Sequence, residues 1–181
     1  HQAGFTDIVC TPHLHDPFVE TKTLNIRDSF FRLNSESKKY GITLHLGSEL
    51  YLGTVPGKYI PFLHKFQIVE ADIKTEPLYL LDRIFDLQMS GLCVILAHVE
   101  RYAWFSMGSK SVNRMREMGV LFQVNAGSLH NKFVLQLIKE GWVDFIASDN
   151  HGFDRGPIDF KSWKSHSEIN ERSKVLLGIG H

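Results

Sequence analysis

The sequence predicts an α/β protein with a parallel sheet, and three observations carry that reading. Short apolar runs alternate with helical patterns along the chain, and the connections are brief, which is the signature of strands joined by helical crossovers. Leu92–Ala97 is an unbroken apolar run containing Val and Ile, as in a strand buried on both faces. Several runs stop at a histidine or a carboxylate, and the carboxyl ends of parallel strands are where α/β proteins place their chemistry.

The elements follow in order. Thr6–Cys10 is a strand with Ile8 and Val9 at its centre. Thr11–Pro17 holds two prolines, which cannot extend a strand ladder, so it is expected to be loop. Leu24–Tyr40 has apolar residues near helical spacing and is expected to end at Gly41. Ile42–Leu50 is a second strand, and its alternation of Ile42, Leu44 and Leu46 with Thr43 and His45 suggests one less buried face. Phe66–Ala71 is a third strand. Pro77–Ser90 is a helix with proline tolerated in its first turn. Leu92–Ala97 is the fourth strand. Ser109–Met118 is a helix, Val120–Val124 a strand, Lys132–Glu140 a helix and Val143–Ala147 a strand. The tail beyond Pro157 is expected to hold one helix at most, within Lys161–Leu177.

The glycine motif of dinucleotide-binding sheets and the phosphate-loop motif are both absent, so a barrel, or a barrel lacking a piece, suits the pattern better than an open nucleotide-binding sheet. The 181 residues suffice for a single domain, 1–181, with a sizeable core, and neither repeat nor linker interrupts them. The chain starts at His1, and His1–Gly4 resembles the last turn of a helix. The reading therefore expects at least one more strand and helix upstream.

Formal net charge is zero, which removes the electrostatic argument for a nucleic-acid or anionic-membrane partner. No apolar stretch is long enough to span a bilayer. Cys10 and Cys93 both lie in apolar runs, where reduced buried thiols are the simpler expectation, consistent with the cytoplasm.

The strand ends share a chemistry. His13 follows the first strand, Glu49 the second, His98 the fourth, and Asp149 and His151 the last. If the strands are parallel, all five meet on one rim. Imidazoles with carboxylates suit Mn, Fe or Zn rather than a thiolate site. Paired metals are a common means of hydrolysing phosphate esters. His15 lies close to His13 and could contact either a ligand or a substrate. His45, His64, His130 and His166 fit no such pattern and read as structural or exposed. Arg101 and Arg155 follow His98 and His151 closely. Each could grip phosphate with its guanidinium fork, or make a surface ion pair worth little.

Thr11-Pro12-His13, Gly47-Ser48-Glu49, Leu96–Tyr102 (LAHVERY), Gln123-Val124-Asn125 and Ser148–His151 (SDNH) together resemble the polymerase-and-histidinol-phosphatase (PHP) superfamily. Within it they are most similar to the manganese-dependent protein-tyrosine phosphatases of bacterial capsular and exopolysaccharide gene clusters. The resemblance spans Ala3 to about Arg155, and Ala-His-x-Glu-Arg-Tyr is its most specific part.

That resemblance implies a distorted (β/α)7 PHP-type barrel whose opening strand, with a His-x-His pair, is missing from this chain. It implies His13, Glu49, His98, Asp149 and His151 as ligands to two or three ions, Mn2+ first, with Fe, Zn or Mg as alternatives. Arg101 would hold the substrate phosphate, and Arg155 would be a second phosphate arginine, slightly early for the family. The implied activity is phosphotyrosine hydrolysis by activated water, without a phosphocysteine. The implied partners are phosphotyrosine proteins such as an autophosphorylating tyrosine kinase, with homo-oligomers open. The alternatives are a histidinol-phosphatase-like phosphoesterase and a non-catalytic PHP module. Val99 stands where the family has proline. Glu70-Ala71-Asp72 stands where Glu-Leu/Met-Pro is common, which leaves Glu70 without an assigned role.

Overall fold

A computed structural model describes residues 4–14, 23–55, 57–151 and 160–179. The chain divides into two compact units. Unit 1 comprises His1–Ala71 with Glu76–Ile95, and unit 2 comprises Asp72–Thr75 with Leu96–His181.

Unit 1 opens with β1 (Asp7–Cys10) and β2 (His13–Leu14), continues through α1 (Thr23–Ser37) to β3 (Thr43–Leu46) and β4 (Glu49–Tyr51), and adds β5 (Phe66–Glu70) and α2 (Leu80–Met89). β6 (Cys93–Leu96) follows α2, with Cys93–Ile95 in unit 1 and Leu96 in unit 2. A 3-10 turn at Lys38–Tyr40 ends α1, and Gly41 accepts the left-handed φ of 66° that closes it.

The expected loop at Thr11–Pro17 contains a two-residue strand, and the single strand expected over Ile42–Leu50 is two. The two corrections share one cause. β1 pairs in parallel with β3, then Gly47 N donates to Cys10 O over 2.9 Å. Pro12 has no N–H to offer, so the ladder stops there. It restarts when Glu49 N donates to Pro12 O, and β2 then pairs with β4. Both segments break at the same level, Thr11-Pro12 against Gly47-Ser48. Beyond the break, β2, β4, β5 and β6 stand in that order, with β4 and β5 parallel. On α2, Leu80, Ile84 and Leu87 are buried, as helical spacing predicts.

Unit 2 carries a 3-10 turn at Val99–Arg101, α3 (Lys110–Glu117), β7 (Leu121–Asn125), α4 (Lys132–Lys139), β8 (Phe145–Ala147), α5 (Phe160–Lys164) and α6 (Ser167–Leu177). β7 and β8 are parallel. Ser109 caps α3 by accepting from Val112 N, and Asn131 caps α4 by accepting from Phe133 N. Among the described residues the tail holds two helices rather than the one expected. His166 falls between them, and the Trp163 indole N–H donates across the break to Asn170 Oδ1 over 2.8 Å. α6 is fastened to the residues leading into β8 by Ser173, whose hydroxyl donates to Asp144 O, and by Arg172, which donates to Val143 O. Val112, Met115, Phe122, Val124, Val134 and Leu137 are fully buried. Among the described residues no helix is long and apolar enough to cross a membrane.

Candidate metal centre

Strand register builds the first cluster, in unit 1. His13 on β2 is the register partner of Glu49 on β4, so both side chains leave the same face. Glu49 is opposite Ile68 on β5, and Glu70 lies two residues beyond Ile68, hence on that face too. The result is His13, Glu49 and Glu70 with one ligand atom each, all within 4.8 Å of one another. His13 Nδ1 lies 3.1 Å from Glu70 Oε1 and 3.8 Å from Glu49 Oε2. The three side chains are only 17%, 7% and 12% exposed, so water screens the two carboxylates poorly. An imidazole between two largely buried carboxylates is a donor set that suits a divalent ion of the Mn, Fe or Zn type. The residues present therefore fit the metal that the sequence reading expects.

The approach to Glu49 is fixed from below. Ser48 is fully buried; its hydroxyl accepts from Ile60 N over 2.7 Å. Gln67 Nε2 donates to Ser48 O over 2.7 Å. Gly47 leaves no room for a side chain, since a Cβ there would stand 2.9 Å from Phe62 Cβ.

Unit 2 holds a second cluster. His151 Nε2 lies 2.8 Å from Asp149 Oδ1, and Arg101 Nη1 lies 3.7 Å from Asp149 Oδ2. The Arg101 side chain is 41% exposed, which leaves it open to a ligand. His98 is buried, its ring 5.6 Å from that of Tyr102. Both His98 and Asp149 are non-glycine residues with left-handed φ, 37° and 46°. Such conformations cost on the order of 1–3 kcal/mol each and persist where surroundings hold them. Glu100 Oε1 accepts from Asn125 N over 3.1 Å, tying the 3-10 turn to the end of β7. Burial pushes the Glu100 carboxyl above its usual range, although main-chain N–H groups and the Ser128 hydroxyl pull the other way.

Of the expected site residues, unit 1 brings together His13 and Glu49, and unit 2 brings together Arg101, Asp149 and His151. His98 joins the second group through its main chain, whose N–H donates to Gln123 Oε1 over 2.7 Å. His15 and Arg155 lie outside the described residues. Glu70 is the member that sequence reasoning left unassigned; the available signal was its position at the carboxyl end of its strand, whereas Glu49 opens β4. His45, which read as structural or exposed, has Nε2 2.9 Å from Asp7 Oδ1.

A family model described as "Capsular polysaccharide synthesis, CpsB/CapC" matches residues 1–164. The chain is 28% identical over 172 residues to the putative tyrosine-protein phosphatase CapC of Staphylococcus aureus, covering 86% of this chain and 68% of the relative. It is 26% identical to the tyrosine-protein phosphatase YwqE of Bacillus subtilis, covering 82% of this chain and 65% of the relative. It is 24% identical to the tyrosine-protein phosphatase CpsB of Streptococcus pneumoniae, covering 87% and 73%. Among solved structures, one described in work on YwqE and CpsB, "unique metal-dependent tyrosine phosphatases", aligns with a TM-score of 0.79 at 18% identity. That match covers 97% of this chain and 82% of the other, and it establishes a shared α/β fold.

Proposed function

Because this chain belongs to the CpsB/CapC capsular polysaccharide synthesis family, we propose that it is the metal-dependent phosphomonoesterase part of a protein-tyrosine phosphatase. The observation that carries the reading is the largely buried His13–Glu49–Glu70 triad, a ready set of oxygen and nitrogen donors for a divalent cation.

In this reading His13, Glu49 and Glu70 hold a cation in unit 1. His98, Asp149 and His151 are cation ligands in unit 2, as motif matching implies. Divalent cations bound by these residues would lower the pKa of a water and offset charge on the phosphoryl oxygens. Arg101 grips the phosphate. Its guanidinium is exposed, 3.7 Å from Asp149 Oδ2, and its planar fork can form two parallel bonds to phosphoryl oxygens. Water is the nucleophile, because neither cysteine lies in a phosphate-binding loop. Arg155 and His15 are proposed as further phosphate or substrate contacts.

The finer parts of the reading belong here too. They are manganese as the working ion with two or three bound in all, one PHP-type domain with a distorted (β/α)7 barrel, and a cytoplasmic setting. The substrate is a phosphotyrosine protein of capsule or exopolysaccharide production, such as an autophosphorylating tyrosine kinase; homo-oligomerisation is compatible. The test is hydrolysis of a phosphotyrosine peptide by the full-length protein before and after exhaustive chelation, with Mn2+ restored last. Activity lost on chelation and regained with Mn2+ is expected. Full activity in the chelated protein overturns the reading.

A further inference from the structure

Two amide side chains in unit 2 connect His98 to Asp149. His98 N donates to Gln123 Oε1 over 2.7 Å. Gln123 Nε2 donates to Asn125 Oδ1 over 2.9 Å, and Asn125 Nδ2 donates to Asp149 Oδ2 over 3.0 Å. A main-chain N–H can only donate, and an ionised carboxylate can only accept. The two ends therefore fix the direction of both amides independently, and the two assignments agree. Turning either amide over would set two donors or two acceptors face to face.

The connected residues are also the two non-glycine residues of unit 2 with left-handed backbones among the described residues. A chain of hydrogen bonds thus runs between the two places where this unit's backbone is strained. Gln123 and Asn125 sit two residues apart on β7, so both side chains leave one face of the strand. Gln123 is buried, so little water competes for its bond from His98 N, while the two bonds through Asn125 are partly buried.

We propose that Gln123 and Asn125 are positioning residues, a two-amide relay that sets the orientations of His98 and Asp149 together. The inference rests on the proposed role of those two residues as cation ligands. The relay engages Asp149 Oδ2, while Oδ1 faces His151. Residues that orient ligands from behind typically change metal affinity about 10–100-fold when altered.

The experiment uses the full-length protein and Mn2+ alone as the probe. Gln123→Glu keeps an acceptor for His98 N but loses the donor to Asn125. Asn125 must then turn over and present its oxygen to Asp149. The added negative charge by itself would strengthen cation binding, so a loss of about tenfold in Mn2+ affinity reports orientation and not charge. Gln123→Leu and Asn125→Leu should each lower affinity comparably, with the double variant no worse than either alone. Mn2+ affinity within about twofold of wild type in Gln123→Glu, or additive losses in the leucine variants, overturns the relay.

A second readout needs no metal. In the apo protein, amide exchange at His98 followed by NMR should quicken in Asn125→Leu, although Asn125 does not touch His98 N. Unchanged protection there overturns the relay even if metal affinity falls. Wild-type protein that neither binds Mn2+ nor hydrolyses phosphotyrosine would instead sink the phosphatase reading, and the His98 exchange result would then decide the relay.

Discussion

His13 Nδ1 stands 3.1 Å from Glu70 Oε1, with the whole of β4 lying between their strands. Two side chains from β2 and β5 meet because Glu49 on the central strand shares their face. Glu70 completes a donor set that His13 and Glu49 alone would leave at two.

Glu70→Gln should therefore weaken Mn2+ binding by at least about tenfold while leaving the apo fold intact. A cation present at about 100 times its dissociation constant adds about 2.7 kcal/mol to stability. The variant should lose much of that Mn2+-dependent gain in melting temperature. An unaltered Mn2+ isotherm would remove Glu70 from the site.

Arg101→Ala should reduce kcat/KM on a phosphotyrosine peptide by the equivalent of about 2–4 kcal/mol, the range for one charge-stabilising donor. Arg101→Lys should recover little, because an ammonium cannot reproduce the planar fork. Steady-state kinetics on both variants decides, and wild-type parameters in Arg101→Ala would assign the residue to an ordinary surface pair.

Gly47→Ala should destabilise unit 1 by about 1–3 kcal/mol, the usual penalty for overpacking. The new methyl would meet Phe62 Cβ at 2.9 Å, and Phe62 is buried and stacked on Phe66 with ring centroids 5.4 Å apart. Denaturant unfolding measures the loss. Since Ser48 and Glu49 follow directly, Mn2+ affinity should fall with it.

Burial raises the Cys10 thiol pKa above its ordinary value. The folded protein thus holds that proton to higher pH than the unfolded chain does. Stability should decline as pH climbs from the ordinary thiol range toward the raised value, and Cys10→Ser should flatten the decline. Near neutral pH the thiolate is scarce, so alkylation of Cys10 should be slower than that of a free cysteine. Mass spectrometry of iodoacetamide-treated protein checks this, and fast labelling at pH 7 would contradict it.

Much of this was legible in the residues. The helices expected at Ser109–Met118 and Lys132–Glu140 form within a residue of their predicted bounds, because Ser109 and Asn131 are local caps and the apolar spacing is local as well. Where the reading of the strands erred, the deciding partner was remote. Ile42–Leu50 splits because Pro12, in the break between β1 and β2, has no N–H to donate to it. The single helix expected at the C-terminal end is two, with the Trp163–Asn170 hydrogen bond spanning the break.

The chain alone determined which chemistries were available: histidines and acids at strand ends, an arginine just past His98, and a family pattern in the right order. Tertiary structure decided which of them cooperate. Side-chain direction alternates with every residue of a strand, so only inter-strand register could place Glu70 beside His13. The direction of an amide is set by what it faces, so only the fold could join Gln123 and Asn125 into one line from His98 to Asp149.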